Sequence, residues 1–96
     1  MDIVFHDLAK EELFKSRDYY DSIIFGLGRR FIDEFEKSLT MITEKPLLSP
    51  KAFNEVRKCN IRIFPFSIYY DIIGSKIRIL AISHQKRKPL YWKKRK

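Results

Sequence analysis

The sequence predicts an α+β fold: an antiparallel β-meander with an N-terminal strand and an α-helical hairpin packed on one face, in the order β-α-α-β-β-β. Three observations predict it. Apolar residues recur at helical spacing between Ala9 and Ile42, the recurrence changes to strict alternation between Cys59 and Ile72, and Gly or Pro punctuates the segments. At 96 residues the chain fits one domain spanning 1–96, short enough that its core has to be compact.

"DIVFH" at residues 2–6 is a β-branched and aromatic run ended by Asp7, which reads as a first strand followed by a helix N-cap. Glu11 and Glu12 then lie near the positive end of the helix dipole. Ala9, Leu13, Ser16, Tyr20, Ile23 and Leu27 follow one another three or four residues apart, so they share a helical face. "GLG" at 26–28 interrupts the helix, and Phe31, Phe35, Leu39 and Ile42 restart the period up to Pro46. Two helices with so short a link lie antiparallel.

"LLSPKAF" at 47–53 reads as a loop. Cys59, Ile61 and Ile63 then alternate with Asn60 and Arg62, and Phe66, Ile68, Tyr70 and Ile72 alternate with Ser67, Tyr69 and Asp71. These are two strands, with Pro65 at a bend, bulge or turn between them because it has no N–H for a ladder. "IGSK" at 73–76 supplies a hairpin turn, and "IRILAIS" forms a last strand whose run of Ile79, Leu80, Ala81 and Ile82 suits a central position covered on both faces. The apolar stripe of the helical hairpin has that sheet as its natural partner.

Charge divides the chain. Residues 1–45 hold seven Lys/Arg against ten Asp/Glu, and residues 46–96 hold thirteen against two, which gives −3 and +11 for the halves and +8 in all. A field of this kind attracts phosphate backbones or acidic proteins and weakens with salt. Cys59, the single cysteine, forms no internal disulfide and reads as a small buried hydrophobe. No apolar run is long enough for a signal h-region or a membrane span, so a cytoplasmic protein is expected. No His, Cys, Asp or Glu cluster has metal-ligand spacing and no Gly-rich phosphate loop is present, so neither a metal nor a cofactor is expected.

The basic end, "SHQKRKPLYWKKRK", interleaves cations with Pro89, Leu90, Tyr91 and Trp92. The stretch from Ser83 to Trp92 is the candidate working surface, and residues 93–96 are expected to be a flexible basic end that adds electrostatic attraction. Tyr91 can contact a partner, and Trp92 can fold back and anchor the tail; either ring can serve both ends. Arg57, Lys58, His84, Lys86, Arg87, Tyr91 and Trp92 are therefore the candidate target- or nucleic-acid-binding residues. Lys51 is weighted below the strand arginines, since a guanidinium held by neighbours clamps phosphate or carboxylate better than a loose ammonium. His6 and His84 each end a strand, a place where histidine more often serves structure than acts as a base.

Four stretches carry a family resemblance: "AKEELFKSRDYYDSI", "LGRRFIDEFEKSLTMITEKP", "VRKCNIRIFPFSIYYDI" and "ILAISHQKRKPLYWKKR". Together they resemble the RelE/ParE superfamily of bacterial toxins from type II toxin–antitoxin modules. "RxFPFxIYYxI" followed by "HxxRxPxYWxxR" looks like the ParE branch. The resemblance implies a RelE/ParE-like fold and a toxin neutralised by a cognate antitoxin in a hetero-oligomeric complex, of the kind associated with plasmid stabilisation. ParE-like members inhibit growth by poisoning DNA gyrase, and this is the expected activity. The alternatives are a RelE-like, metal-independent endoribonuclease that cleaves mRNA on the ribosome, and a non-toxic relative that only binds its antitoxin.

For the nuclease alternative, RNA cleavage requires help in removing the 2′-hydroxyl proton, cations for the phosphorane-like charge and an acid for the leaving oxygen. By resemblance, Arg62, Arg87 and Tyr91 are the candidate catalytic residues. The arginine that RelE-like nucleases carry on the middle strand aligns with Ser67, which removes a transition-state cation and favours the gyrase reading.

Overall fold

His6, one residue before the expected cap, stands between the first strand and the first helix and caps the helix. Its backbone is extended and its Nδ1 accepts from the Leu8 N–H at 3.1 Å, while its own N–H donates to the Ile79 carbonyl at 2.9 Å. Asp7 is thereby the first helical residue, where its charge meets the positive helix end. The computed structural model, which describes residues 1–95, contains β1 (Asp2–Phe5), α1 (Asp7–Ile23), α2 (Leu27–Glu44), β2 (Lys51–Phe53), β3 (Val56–Asn60), β4 (Phe66–Ile73) and β5 (Lys76–His84).

Both glycines of "GLG" have work that other residues do poorly. Gly26 caps α2 with φ +87, in the left-handed region. Gly28 lies where the helices meet: a Cβ there would stand 2.5 Å from the Arg17 carbonyl, and its N–H donates to Asp21 Oδ1 at 2.7 Å. The close approach brings Tyr20 of α1 against Phe31 of α2, and Phe31 in turn packs edge-on to Phe64 and Phe66 at 5.2 and 5.1 Å. Offset and edge contacts of this kind add to what area burial alone contributes.

The five strands lie in the order β1-β5-β4-β3-β2, with β1 parallel to β5 and every other pair antiparallel. The meander and the interior place of β5, flanked by β1 and β4 and covered on both faces, agree with the sequence reading. Two strand boundaries do not. Alternation was expected to run from Cys59 to Ile63, yet β3 spans Val56–Asn60 and residues 61–65 bend away. Ile63 adopts φ +76, Pro65 offers no donor, and the pinch closes through Ile61 N–H to Phe66 O at 2.9 Å. Ile61 and Phe64 point inward while Arg62 and Ile63 face solvent, which breaks the alternation that the sequence suggests. The expected loop at 47–53 also holds β2, a three-residue edge strand on β3.

One irregularity shapes the rest. Tyr69 pairs with Ala81 and Tyr70 with Ile79, so Leu80 is an extra residue on β5. The bulge moves the inward positions of β5 from Ile77 and Ile79 to Ile82 on the helix side, and turns Leu80 and Ala81 to the opposite face. There they meet Val56 and the tail, so the sheet is covered on both sides. Cys59 is buried in the helix-side core. Among the described residues no helix is long and apolar enough to cross a membrane.

Candidate functional site

After His84 the chain turns back across the open face of the sheet. Leu90 takes φ +60, and the tail is stitched by Lys93 N–H to Leu90 O at 3.1 Å and Arg95 N–H to Trp92 O at 2.9 Å. Trp92 is only 2% exposed, with Tyr69 at 4.6 Å and Phe53 at 6.3 Å between ring centroids. Its ring is taken up in packing, the anchoring arrangement expected of it. Within the end expected to be flexible, 93–96, Arg95 is docked; Lys96 lies outside the described residues.

The docking partner is Glu12 of α1, whose side chain is 14% exposed. Its Oε2 accepts from the Tyr91 hydroxyl at 2.6 Å and Arg95 Nη2 at 3.0 Å; its Oε1 accepts from Arg95 Nη1 at 2.8 Å and Ile82 N–H at 3.1 Å. Arg95 Nη1 also donates to Leu80 O at 3.0 Å. A shielded carboxylate requires such donors, since leaving it unpaired would cost more than its bonds contribute. The Arg87 guanidinium lies 4.0 Å over the Tyr91 ring and 3.7 Å from Glu12 Oε2.

Burial pushes the Tyr91 hydroxyl up to about 12, aided by its hydrogen bond to Glu12. At neutral pH Tyr91 therefore keeps its proton: it can donate, but it is no base. The folded value lies above the unfolded one of about 10, so this stabilisation is complete below pH 10 and is lost as pH rises toward 12. Tyr91→Phe is expected to flatten the fall in urea-unfolding free energy across that window. The raised hydroxyl of Tyr20 should leave a residual slope.

Between the tail and the sheet lies a cleft of about 180 Å³ lined by Lys58, Tyr69, Ser83, His84, Arg87 and Trp92, among others. Four of the predicted residues, Lys58, His84, Arg87 and Trp92, thus converge on one place, and Tyr91 borders it through Arg87. His84 Nδ1 accepts from the Lys86 N–H at 3.0 Å, and the Lys86 side chain faces solvent. Arg57 is elsewhere: its Nη1 donates to Leu47 O and Ser49 O at 3.1 and 2.7 Å, pinning the loop after α2. Lys51 pairs with Glu55. Arg62 is exposed on the 61–65 bend and lines none of the clefts described, so only Arg87 and Tyr91 of the candidate catalytic trio touch. At the middle of the sheet Ser67 is 1% exposed and donates its hydroxyl to Asn60 Oδ1 at 2.7 Å.

Two features escape the sequence reading. Glu12 was assigned to the helix dipole, although its position three residues after Ala9 and four before Ser16 puts it beside the apolar stripe. Along the same helix a groove of about 370 Å³ is lined by Lys15, Ser16, Tyr19, Tyr20, Ile23, Phe66 and His84, and beyond it at the hairpin tip Phe25 is 100% exposed. His84 belongs to both groove and cleft. Among the described residues no three His, Cys, Asp or Glu side chains are grouped to hold a metal ion.

Residues 3–89 match the family model for the ParE toxin of the type II toxin–antitoxin system, parDE. No curated protein matches the chain significantly. Among solved structures, a chain of the chromosomal ParDE TA system from P. aeruginosa aligns with a TM-score of 0.78 at 19% identity, covering 88% of this chain and 95% of that one. At that identity the likeness is one of fold.

Proposed function

Because the chain belongs to the ParE toxin family of type II toxin–antitoxin systems, within the RelE/ParE superfamily, we propose that it arrests growth by binding and poisoning DNA gyrase. The observation that carries this reading is the composition of the cleft. Lys58 and Arg87 give it cations; at its border the hydroxyl of Tyr91 is held protonated by burial and by Glu12, and outside its lining, on β4, Ser67 carries a buried hydroxyl where an arginine is expected of RelE-like nucleases. Such a surface suits binding, and Ser67 offers no cation for an oxyanion at the middle strand.

A cognate antitoxin is the proposed partner in the cytoplasm. The groove along α1 joins exposed Tyr19 and Ile23 to Lys15 and His84, a combination suited to an acidic amphipathic segment that orders on binding.

Pulse-labelling after induction in bacteria tests the target. Thymidine incorporation is expected to fall before amino-acid incorporation, and the purified protein should inhibit gyrase supercoiling and raise cleavage complexes. Earlier loss of protein synthesis, with new mRNA 3′ ends inside codons, would overturn this reading in favour of ribonuclease chemistry by Arg62, Arg87 and Tyr91. Harmless expression without an antitoxin would leave an antitoxin-binding relative.

A further inference from the structure

We infer that Glu12 is a positioning residue for the basic face: its carboxylate clasps the tail and thereby sets where Arg87 stands at the mouth of the cleft. The functional half of this inference rests on the reading of that cleft as the target-binding surface.

The geometry points to Glu12 because its two oxygens are fully committed and tie three elements together. Oε1 holds Ile82 of β5 and one arm of Arg95, while Oε2 holds Tyr91 and the other arm. β1 stops pairing at Ile79, so the edge of β5 beyond it has no neighbouring strand. Glu12 and Arg95 occupy that edge instead, taking Ile82 N–H and Leu80 O.

The tail does not need this clasp simply to stay on the sheet, since Trp92 already buries an indole there. What the clasp adds is orientation. A hydroxyl fixed at 2.6 Å sets the direction of the Tyr91 ring, and Arg87 lies on the face of that ring. Among the described residues the Arg87 guanidinium, whose side chain is 55% exposed, makes no hydrogen bond of its own. The ring beneath it and the carboxylate beside it are therefore what define its place. Tyr91 and Arg95 also lie beyond residues 3–89, the segment that matches the family.

Glu12→Gln tests this, because it keeps the size of the side chain but sets an N–H₂ group against donors. Its first readout is the upfield ring-current displacement that Tyr91 imposes on the Arg87 side-chain protons, followed by NMR. The displacement is expected to collapse, and the Lys93 and Arg95 amides to exchange at least about tenfold faster. Emission from Trp92 should remain that of a buried indole. Gyrase inhibition should weaken at least about tenfold, as expected when a preorganised cation is released.

Arg95→Lys, which keeps the charge but gives up the two-armed grip, is the second variant and decides the matter if Glu12→Gln does not fold. A retained displacement in either folded variant, with only a lower unfolding midpoint, would reduce Glu12 to a stabilising contact and overturn the inference. The NMR and exchange readouts need no target. Failure of the wild-type protein to act on gyrase would thus remove the functional reading and leave the clasp to be judged separately.

Discussion

Trp92→Ala is expected to lower the unfolding free energy by about 3–5 kcal/mol, the range for deleting a buried aromatic. Few substitutions should cost this protein more. The core on the tail side consists of Val56, Leu80, Ala81 and Trp92, with Phe53, Tyr69, Leu90 and Tyr91 around its rim. Its other buried members are small or on strands already fixed by their ladders, so little can collapse into the space the indole vacates. Domains of this size are commonly stable by about 5–15 kcal/mol, which makes the loss a large part of the whole. Urea unfolding followed by far-ultraviolet circular dichroism measures it, since the substitution removes the only tryptophan. A loss under about 1 kcal/mol, as for an ordinary surface position, would show that the tail does not complete a core. In the intermediate case, where the protein folds but its tail is free, the cleft should lose one wall and growth arrest should fail.

The helical hairpin was legible because its signals are local. Leu13, Phe31, Phe35 and Ile42 repeat at the helical period, and Gly26, Gly28 and Pro46 mark the ends. The central strand was legible for a related reason, since the run Ile79–Ile82 has no polar side to expose. Strand β2 was hidden by the two prolines that precede it, and the bend at 61–65 imitated a strand because Ile61, Arg62 and Ile63 alternate in sequence although Ile63 faces solvent. The site was legible in composition but not in geometry. Its basic and aromatic residues are concentrated near the end of the chain, where interleaved cations and rings attract notice. The clasp joins Glu12 to Tyr91 and Arg95 across 79 and 83 residues, and no periodicity spans such a distance. Only the fold reveals that Arg57 serves the loop after α2 and that Arg87 stands between the cleft and Glu12.

Arg87→Glu is expected to abolish growth arrest on induction and to weaken gyrase inhibition by at least about tenfold, while changing stability by no more than about 0.5 kcal/mol. The two halves of this prediction have different causes. Arg87 is more than half exposed and its ion pair with Glu12 is long, at 3.7 Å, so solvent screening leaves that pair a minor share of the fold's stability. Glu12 retains Arg95 and Tyr91, and Trp92 retains its pocket, so the tail should stay docked. The surface, by contrast, changes sign where it matters. Arg87 stands beside Lys58 in the cleft, and a carboxylate in its place would meet Glu12 across the Tyr91 ring, turn outward and repel any acidic target. Arg87→Lys separates charge from shape: it keeps the cation but loses the planar stack on Tyr91, and partial arrest is expected. Growth curves after induction, set beside unfolding midpoints of the same proteins, give both halves at once. Full toxicity of a folded Arg87→Glu protein would move the working surface away from the cleft, leaving the groove between α1 and Phe66 as the face to test next.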